Sequence, residues 1–361
     1  MKKKVIVAMS GGVDSSVAAA LLKNNGYDVV GVFMKFWKET NRKNENRCCS
    51  IEAKRDVQRV AIKLGIPFYV IDARKEFKKR VVDYFIKEYK KGNTPNPCVE
   101  CNRWIKFRFL IEKALQSKAD YVATGHYARV SKKFVNSKLI RYSLMTARDK
   151  QKDQSYFLWT LNQKQLKKIL FPIGDYTKEQ VRGMAKKWGL PVFEKKDSQE
   201  ICFINADLRR FLESRIHAEK GPIITVEGKK VGEHEGLIFY TIGQRKGLPA
   251  TPASWLAWRA GNQVYVVRKD LKKNALIVSK SEKDLLQKEM LVKNVNWLRL
   301  DPFAGRNSFR CKVKIRSTAP MFSATIKENK IIFNKKQRAI TPGQSVVFYL
   351  KNEVLGGGII H

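Results

Sequence analysis

A short apolar run, Val5 to Met9, leads straight into Ser10-Gly-Gly-Val-Asp-Ser15, and that loop leads into the amphipathic run Val17 to Leu22. A buried strand that enters a helix through a two-glycine turn opens a crossover unit, and crossover units build parallel sheets. The pattern recurs. Val29 to Phe33, Phe68 to Ile71 and Tyr121 to Thr124 are further apolar runs, and Ser15 to Leu22, Ile51 to Leu64 and Trp104 to Leu115 carry apolar residues at helical spacing with Lys and Arg opposite. This alternation predicts an α/β domain with a doubly wound parallel sheet over residues 1–204.

The texture then changes. Gly-punctuated runs such as Gly221 to Gly228 and Gly236 to Ile242 predict a small β-containing central module, 205–280. Over 281–361, the runs Phe309 to Ile315, Met321 to Ile326, Ile331 to Phe333 and Ser345 to Leu350 are separated by turn residues, as in a C-terminal antiparallel β-barrel. A chain of 361 residues has length for two or three such domains.

Lys and Arg number 72 against 33 Asp and Glu, a formal charge of +39. Solubility does not require that excess, and a polyanionic partner, nucleic acid, accounts for it. Val5 to Met9 is too short for the apolar core of a secretory signal, and no run approaches the roughly 20 residues that span a bilayer. A cytoplasmic location is expected, with no membrane partner. There the cysteines at 48, 49, 98, 101, 202 and 311 are reactive or metal-binding rather than structural disulfides.

The two glycines of the 10–15 loop permit close backbone approach to an anion, Ser10 and Ser15 offer hydroxyls, and the next helix offers N–H groups and a positive dipole end. The loop lacks both the Lys-Ser/Thr ending of a Walker loop and the spacing of a dinucleotide fold. It resembles the SGGxDS loop of PP-loop ATP pyrophosphatases (adenine nucleotide alpha hydrolase-like), which split ATP to AMP and pyrophosphate while adenylating an oxygen. The resemblance implies ATP at Ala8, Met9, Ser10, Gly11, Gly12, Val13, Asp14 and Ser15, with Asp14 helping to hold Mg²⁺, whose preference is for hard oxygens. Met34 and Gly125 end two further strands, where nucleotides bind in such sheets.

The cysteines discriminate among PP-loop enzymes. Thr94-Pro-Asn-Pro-Cys-Val-Glu-Cys-Asn102 with Ile105-Lys-Phe107, Asp197-Ser-Gln-Glu-Ile-Cys-Phe203, Gly125-His-Tyr127, Lys152-Asp-Gln-Ser-Tyr-Phe-Leu158, Thr241-Ile-Gly-Gln-Arg-Lys-Gly247 and Thr341-Pro-Gly-Gln344 resemble motifs of the MnmA/TrmU tRNA 2-thiouridylases nearly end to end. Carried over, Cys202 receives sulfur as a persulfide and Cys101 is its partner nucleophile, forming a disulfide when sulfur leaves. A thiolate is required, and a basic site favours one. Cys98 stands where the better-known form of the family has Asp. With Cys101 and Cys202 it leaves a second reading open, three thiolates on a [4Fe–4S] cluster with one open iron.

The same resemblance places Asn96, Pro97 and Cys98 around the target base. It brings His126, Lys152, Asp153, Gln154, Arg316, Ser317 and Gln344 to tRNA, whose anticodon-loop uridine must leave its stack to be modified. It implies the wobble uridine of Lys, Glu and Gln tRNAs, and a cysteine desulfurase or sulfur-relay protein as donor. Two other classes remain open on the residues alone: a PP-loop synthetase acting on a small metabolite, and a non-catalytic RNA-binding protein.

Overall fold

The computed structural model describes residues 2–38, 50–134, 140–196, 201–204, 207–249, 253–298, 303 and 305–361. Asp197 to Glu200, Cys48 and Cys49 lie outside the described residues.

The N-terminal region runs β1 (Lys4–Ala8), α1 (Val13–Asn24), β2 (Asp28–Lys35), α2 (Ile51–Leu64) and β3 (Phe68–Asp72), then two long helical stretches. The first joins α3 (Arg74–Phe77) to α4 (Asp83–Lys90) through wide π-type turns at Lys78–Val82. The second joins α5 (Pro97–Glu100) to α6 (Leu110–Gln116) through π-type turns at Cys101–Phe109. It starts earlier than the apolar spacing predicts, because Asn96 caps it: the Asn96 side-chain oxygen accepts from the N–H groups of Cys98 and Val99, and Pro97 takes the first helical position. β4 (Tyr121–Thr124), the hairpin β5 (Ala128–Phe134) and β6 (Ile140–Thr146), α7 (Gln163–Leu166), β7 (Ile169–Leu170) and α8 (Lys178–Lys187) follow.

β3, β2, β1, β4 and β7 form one all-parallel sheet in that order. Residues of β1 alternate between faces. Val5 and Val7 pack with α1, α2 and α8 on one side, and Ile6 and Ala8 join the helices of 74–116 on the other. Both faces are covered, so the central strands read as unbroken apolar runs. Strand order reverses between β1 and β4, the switch point at which open α/β sheets bind ligands.

After α9 (Leu208–Glu213) comes a small mixed sheet of β8 (Gly221–Thr225), β9 (Lys230–His234), β10 (Tyr265–Asp270) and β11 (Ala275–Ser279), in the order β10-β11-β8-β9, with α10 (Ala253–Arg259) beside it. The C-terminal strands are β12 (Leu286–Trp297), β13 (Phe309–Lys314), β14 (Phe322–Lys327), β15 (Lys330–Arg338), β16 (Ser345–Leu350) and β17 (Glu353–Ile360). They close into a six-stranded antiparallel barrel, because β12 pairs with both β15 and β17. The β5–β6 hairpin extends the barrel sheet through Glu353 against Met145 and Val354 against Leu144. No helix among the described residues is long and apolar enough to cross a membrane.

Candidate active site

The 10–15 loop lies at the switch point. Gly11 takes φ +76°, with the Ala53 carbonyl of α2 only 2.6 Å from where a Cβ would stand. The Ser10 N–H donates to Ser15 Oγ at 3.2 Å, and the Ser15 and Ser16 hydroxyls donate to the Gly12 carbonyl at 3.2 and 2.9 Å. These bonds tie the loop to the first turn of α1. No side chain caps that helix, so its opening N–H groups are left for an anion. Gly125, just after β4, abuts the same turn: a Cβ there would fall 2.6 Å from the Ser15 nitrogen.

Ala8 through Ser15, with Met34 and Gly125, line one cleft of about 410 Å³. His126, Lys152 and Gln154, expected at tRNA, line it too. So do Phe36, Lys106, Tyr127, Lys195 and Lys196, which the sequence reading did not single out as ligands. Their one available signal was position: Lys106 sits inside the Ile105-Lys-Phe107 motif, and Lys195-Lys196 immediately precede Asp197.

Asp14 is held on two sides. Lys178 Nζ donates to its carboxylate oxygens at 2.7 and 2.9 Å, and the Tyr127 hydroxyl donates to Oδ1 at 2.9 Å. Lys178 opens α8 behind a Thr177–Gln180 capping box, and its N–H donates to Asp149, which also accepts from the N–H groups of Gln151 and Lys152. Behind Lys195, which lines the cleft, buried Asp56 of α2 accepts from Lys195 and Arg59, each at 2.5 Å. Burial pushes the Asp56 carboxyl up, but those two cations more than offset it and hold the group below its ordinary range. His126 is buried, with Nδ1 2.8 Å from Thr124 Oγ1. Burial, and then Lys106, push its pKa well below the usual imidazole value, so it is neutral at pH 7.

Cys98 is exposed in α5, Cys101 is buried at the start of the π-type turns, and Cys202 is half-buried. Cys101 and Cys202 belong to one apolar cluster, with Phe203, Phe77 and Phe85. Ala8 and Met34, which line the nucleotide cleft, belong to it as well. Met9, Val13 and Tyr127, which also line the cleft, belong to the cluster on the other face, so the cleft sits at the end of the sheet and borders both clusters, one of which holds the two cysteines. Among the described residues no three His, Cys, Asp or Glu side chains are gathered as a metal ion would require.

Other expected tRNA positions have internal bonds in this structure. Asp153 accepts from the N–H groups of Ala147 and Ser155, and the Gln154 side chain accepts from the Tyr127 N–H. Gln344 donates to the Thr94 carbonyl at 2.7 Å; the Thr94 N–H donates to the Pro342 carbonyl, and its hydroxyl lies 3.2 Å from that of Thr241. Thr94, two residues before Asn96, thus touches both the barrel and the central module. Arg316 donates to the Arg338 carbonyl while its buried Nε has no partner, and the Ser317 carbonyl accepts from Lys314.

A parallel sheet with an SGGVDS loop at its switch point defines a PP-loop domain, the ATP-utilising class. Residues 3–206 match the family model described as the tRNA methyl transferase HUP domain, 209–280 the tRNA methyl transferase PRC-barrel domain, and 287–360 the aminomethyltransferase beta-barrel domain. The tRNA-specific 2-thiouridylase MnmA of Clostridioides difficile is 46% identical over 100% of this chain and 98% of that protein. Those of Acetivibrio thermocellus and Carboxydothermus hydrogenoformans are 45% and 44% identical, over 99% of this chain and 99% and 98% of theirs. The chain belongs to the MnmA family of tRNA-specific 2-thiouridylases.

Proposed function

We propose that this protein replaces O2 of a tRNA wobble uridine, in Lys, Glu and Gln tRNAs, with sulfur, using ATP and a cysteine persulfide. One observation carries the reading: the cleft at the switch-point loop borders, through Ala8, Met34 and Phe36, the same apolar cluster that contains Cys101 and Cys202. Adenylation chemistry and thiol chemistry are thereby neighbours. The family model's description names methyl transfer, which needs no triphosphate cradle; the full-length relatives are named for thiolation.

Uridine O2 attacks the α-phosphorus of ATP, pyrophosphate leaves, and O2 becomes part of an AMP leaving group. The outer sulfur of a Cys202 persulfide attacks C2, and AMP departs with the oxygen. The Cys101 thiolate then attacks Cys202 Sγ and breaks the S–S bond, leaving sulfur on C2 and a Cys101–Cys202 disulfide. A thiol reductant resets that disulfide, and a cysteine desulfurase or relay protein reloads Cys202. The chain's own groups do the positioning: the α1 N-terminus and the loop amides hold phosphate, and Lys106, Lys152, Lys195 and Lys196 add positive charge around the cleft. Neutral, buried His126 is suited to hydrogen bonding rather than to holding charge.

Mg²⁺ fits the donor chemistry of Asp14, a carboxylate on the cleft wall, in place of the Lys178 ammonium that its oxygens accept from in this structure, and would supply charge neutralisation at the triphosphate. The [4Fe–4S] alternative does not fit as well: exposed Cys98, buried Cys101 and half-buried Cys202 are not gathered into one donor group. No step is routed through it.

Replacing Cys202 with Ser tests the reading. With ATP, Mg²⁺, a persulfide donor and unmodified tRNA, 2-thiouridine measured by nucleoside mass spectrometry should vanish while tRNA binding persists. Undiminished thiolation by Cys202→Ser would remove the persulfide assignment. ATP consumption on a small metabolite without tRNA would favour the synthetase reading, and tRNA binding with no ATP use would favour a non-catalytic binder.

A further inference from the structure

Three guanidiniums converge on one indole outside the nucleotide cleft. Arg80, Arg103 and Arg108 are centred 4.4, 4.7 and 5.0 Å from the ring of Trp104. Arg103, Trp104 and Arg108 come from the π-type turns that begin at Cys101, and Arg80 comes from the matching turns at Lys78–Val82. The indole is fixed from below: its Nε1 donates to buried Glu100 at 2.8 Å, and it packs on the cluster that contains Cys101 and Cys202.

Three carboxylates face the three guanidiniums: buried Glu100, which interacts electrostatically with Arg103, and the two more exposed groups Glu76 and Glu112. Glu76 stands 3.7 Å from Arg80 Nε, a buried nitrogen that makes no hydrogen bond. Arg108 meets Glu112 at 3.2 Å, but both side chains are more than half exposed, and water screens such a pair. The ring quadrupole attracts each guanidinium, against the mutual repulsion of three like charges. An anion would relieve that repulsion. The pattern repeats along the rim of the same cluster, where Arg215 lies over Trp37 and Phe211, and Arg209 over Phe239.

We propose that Arg80, Arg103 and Arg108, splayed over Trp104, form a docking site for backbone phosphates of the RNA substrate. This rests on the proposed function and assigns the surface by which it grips its substrate. Guanidinium forks match phosphate oxygens two at a time, and such contacts set register rather than read sequence. Register is what this position controls: Trp104 follows Cys101 by three residues on one helix, so phosphates held here fix where the RNA loop lies relative to that thiol. The net charge of +39 favours RNA over an acidic protein as the occupant.

The test is tRNA affinity against salt, by filter binding between 50 and 200 mM KCl, for Arg80→Gln/Arg103→Gln/Arg108→Gln and for the single exposed change Arg108→Gln. The triple variant should bind at least about 10-fold more weakly at low salt, and its log–log salt slope should fall by about 2; the single change should lower the slope by about 1. ATP binding and melting temperature should match wild type. Unaltered affinity and slope in both variants overturn the docking site alone. So does an equal loss at every salt concentration, or a selective loss of binding to the sulfur-donor protein. Wild-type protein with no measurable tRNA affinity overturns the functional reading and the docking site with it.

Discussion

Lys178 grips Asp14 through both carboxylate oxygens, at 2.7 and 2.9 Å, across a sequence separation of 164 residues. The acidic group of the phosphate loop is therefore neutralised before any triphosphate arrives. Removing the lysine alone leaves an uncompensated carboxylate facing an anionic ligand. Lys178→Met should raise the ATP KM about 10-fold, in line with the roughly 1.5–3 kcal/mol of a charged hydrogen bond. Because the ammonium occupies both oxygens that would hold Mg²⁺, its removal should lower the Mg²⁺ concentration required for half-maximal thiolation. An unchanged ATP titration would show that the pair is only structural.

Gly125 tests close approach. A methyl group there would sit 2.6 Å from the Ser15 nitrogen and 2.7 Å from the Asp14 carbonyl carbon, both backbone atoms with little room to yield. Gly125→Ala should lower stability by about 1–3 kcal/mol, as overpacking does, and displace the first turn of α1. ATP affinity, measured by calorimetry below the melting transition, should fall more than tRNA affinity. Equal losses of both would point to general unfolding instead.

Much of this was legible in the chain because both faces of β1 and β2 are buried, so Val5 to Met9 and Val29 to Phe33 stand out without alternation. The loop was legible because its glycines and serines are contiguous. β17 was not. The apolar runs singled out in the sequence end at Leu350, yet Gly356-Gly-Gly358 lies in a strand, and a Cβ on Gly357 would come within 2.8 Å of Trp159. Nor could spacing reveal that Lys178 reaches Asp14, or that Gln344 holds the Thr94 carbonyl. Such pairings are decided by packing between distant segments.

Asp56 anchors Lys195, which lines the cleft. It is buried in α2, accepts from Lys195 and Arg59, and Arg182 adds bonds to the carbonyls of Phe193 and Lys195. Asp56→Asn should cost about 1 kcal/mol, because Arg59 and Lys195 both reach solvent and the pairs are screened, and it should weaken ATP binding by releasing Lys195. The Asp56 pKa is depressed in the folded state, so its contribution is present above the unfolded carboxylate value and lost as pH falls through the folded one. Acid melts should therefore show wild type and Asp56→Asn converging below about pH 4, the unfolded aspartate value. A constant gap down to pH 2 would contradict this.

Lys269 gives the opposite pH signature. Its Nζ donates to the Tyr240 carbonyl at 2.9 Å, beside a cavity of about 140 Å³ that also borders Thr94, and burial lowers its pKa to about 8. The unfolded lysine titrates near about 10.4. Between those values the unfolded chain holds a proton that the folded chain has shed, so stability gains from this residue as pH rises through the window; below about 8 the cost of the buried charge is constant. Lys269→Met keeps the apolar stem and removes the charge, at the expense of one hydrogen bond of about 1 kcal/mol. At pH 7 the variant should be more stable than wild type by about 1–2 kcal/mol, and the difference should disappear or reverse by about pH 10. Urea melts at pH 7, 8.5 and 10 decide it: a difference that does not move with pH means that Lys269 keeps its proton throughout.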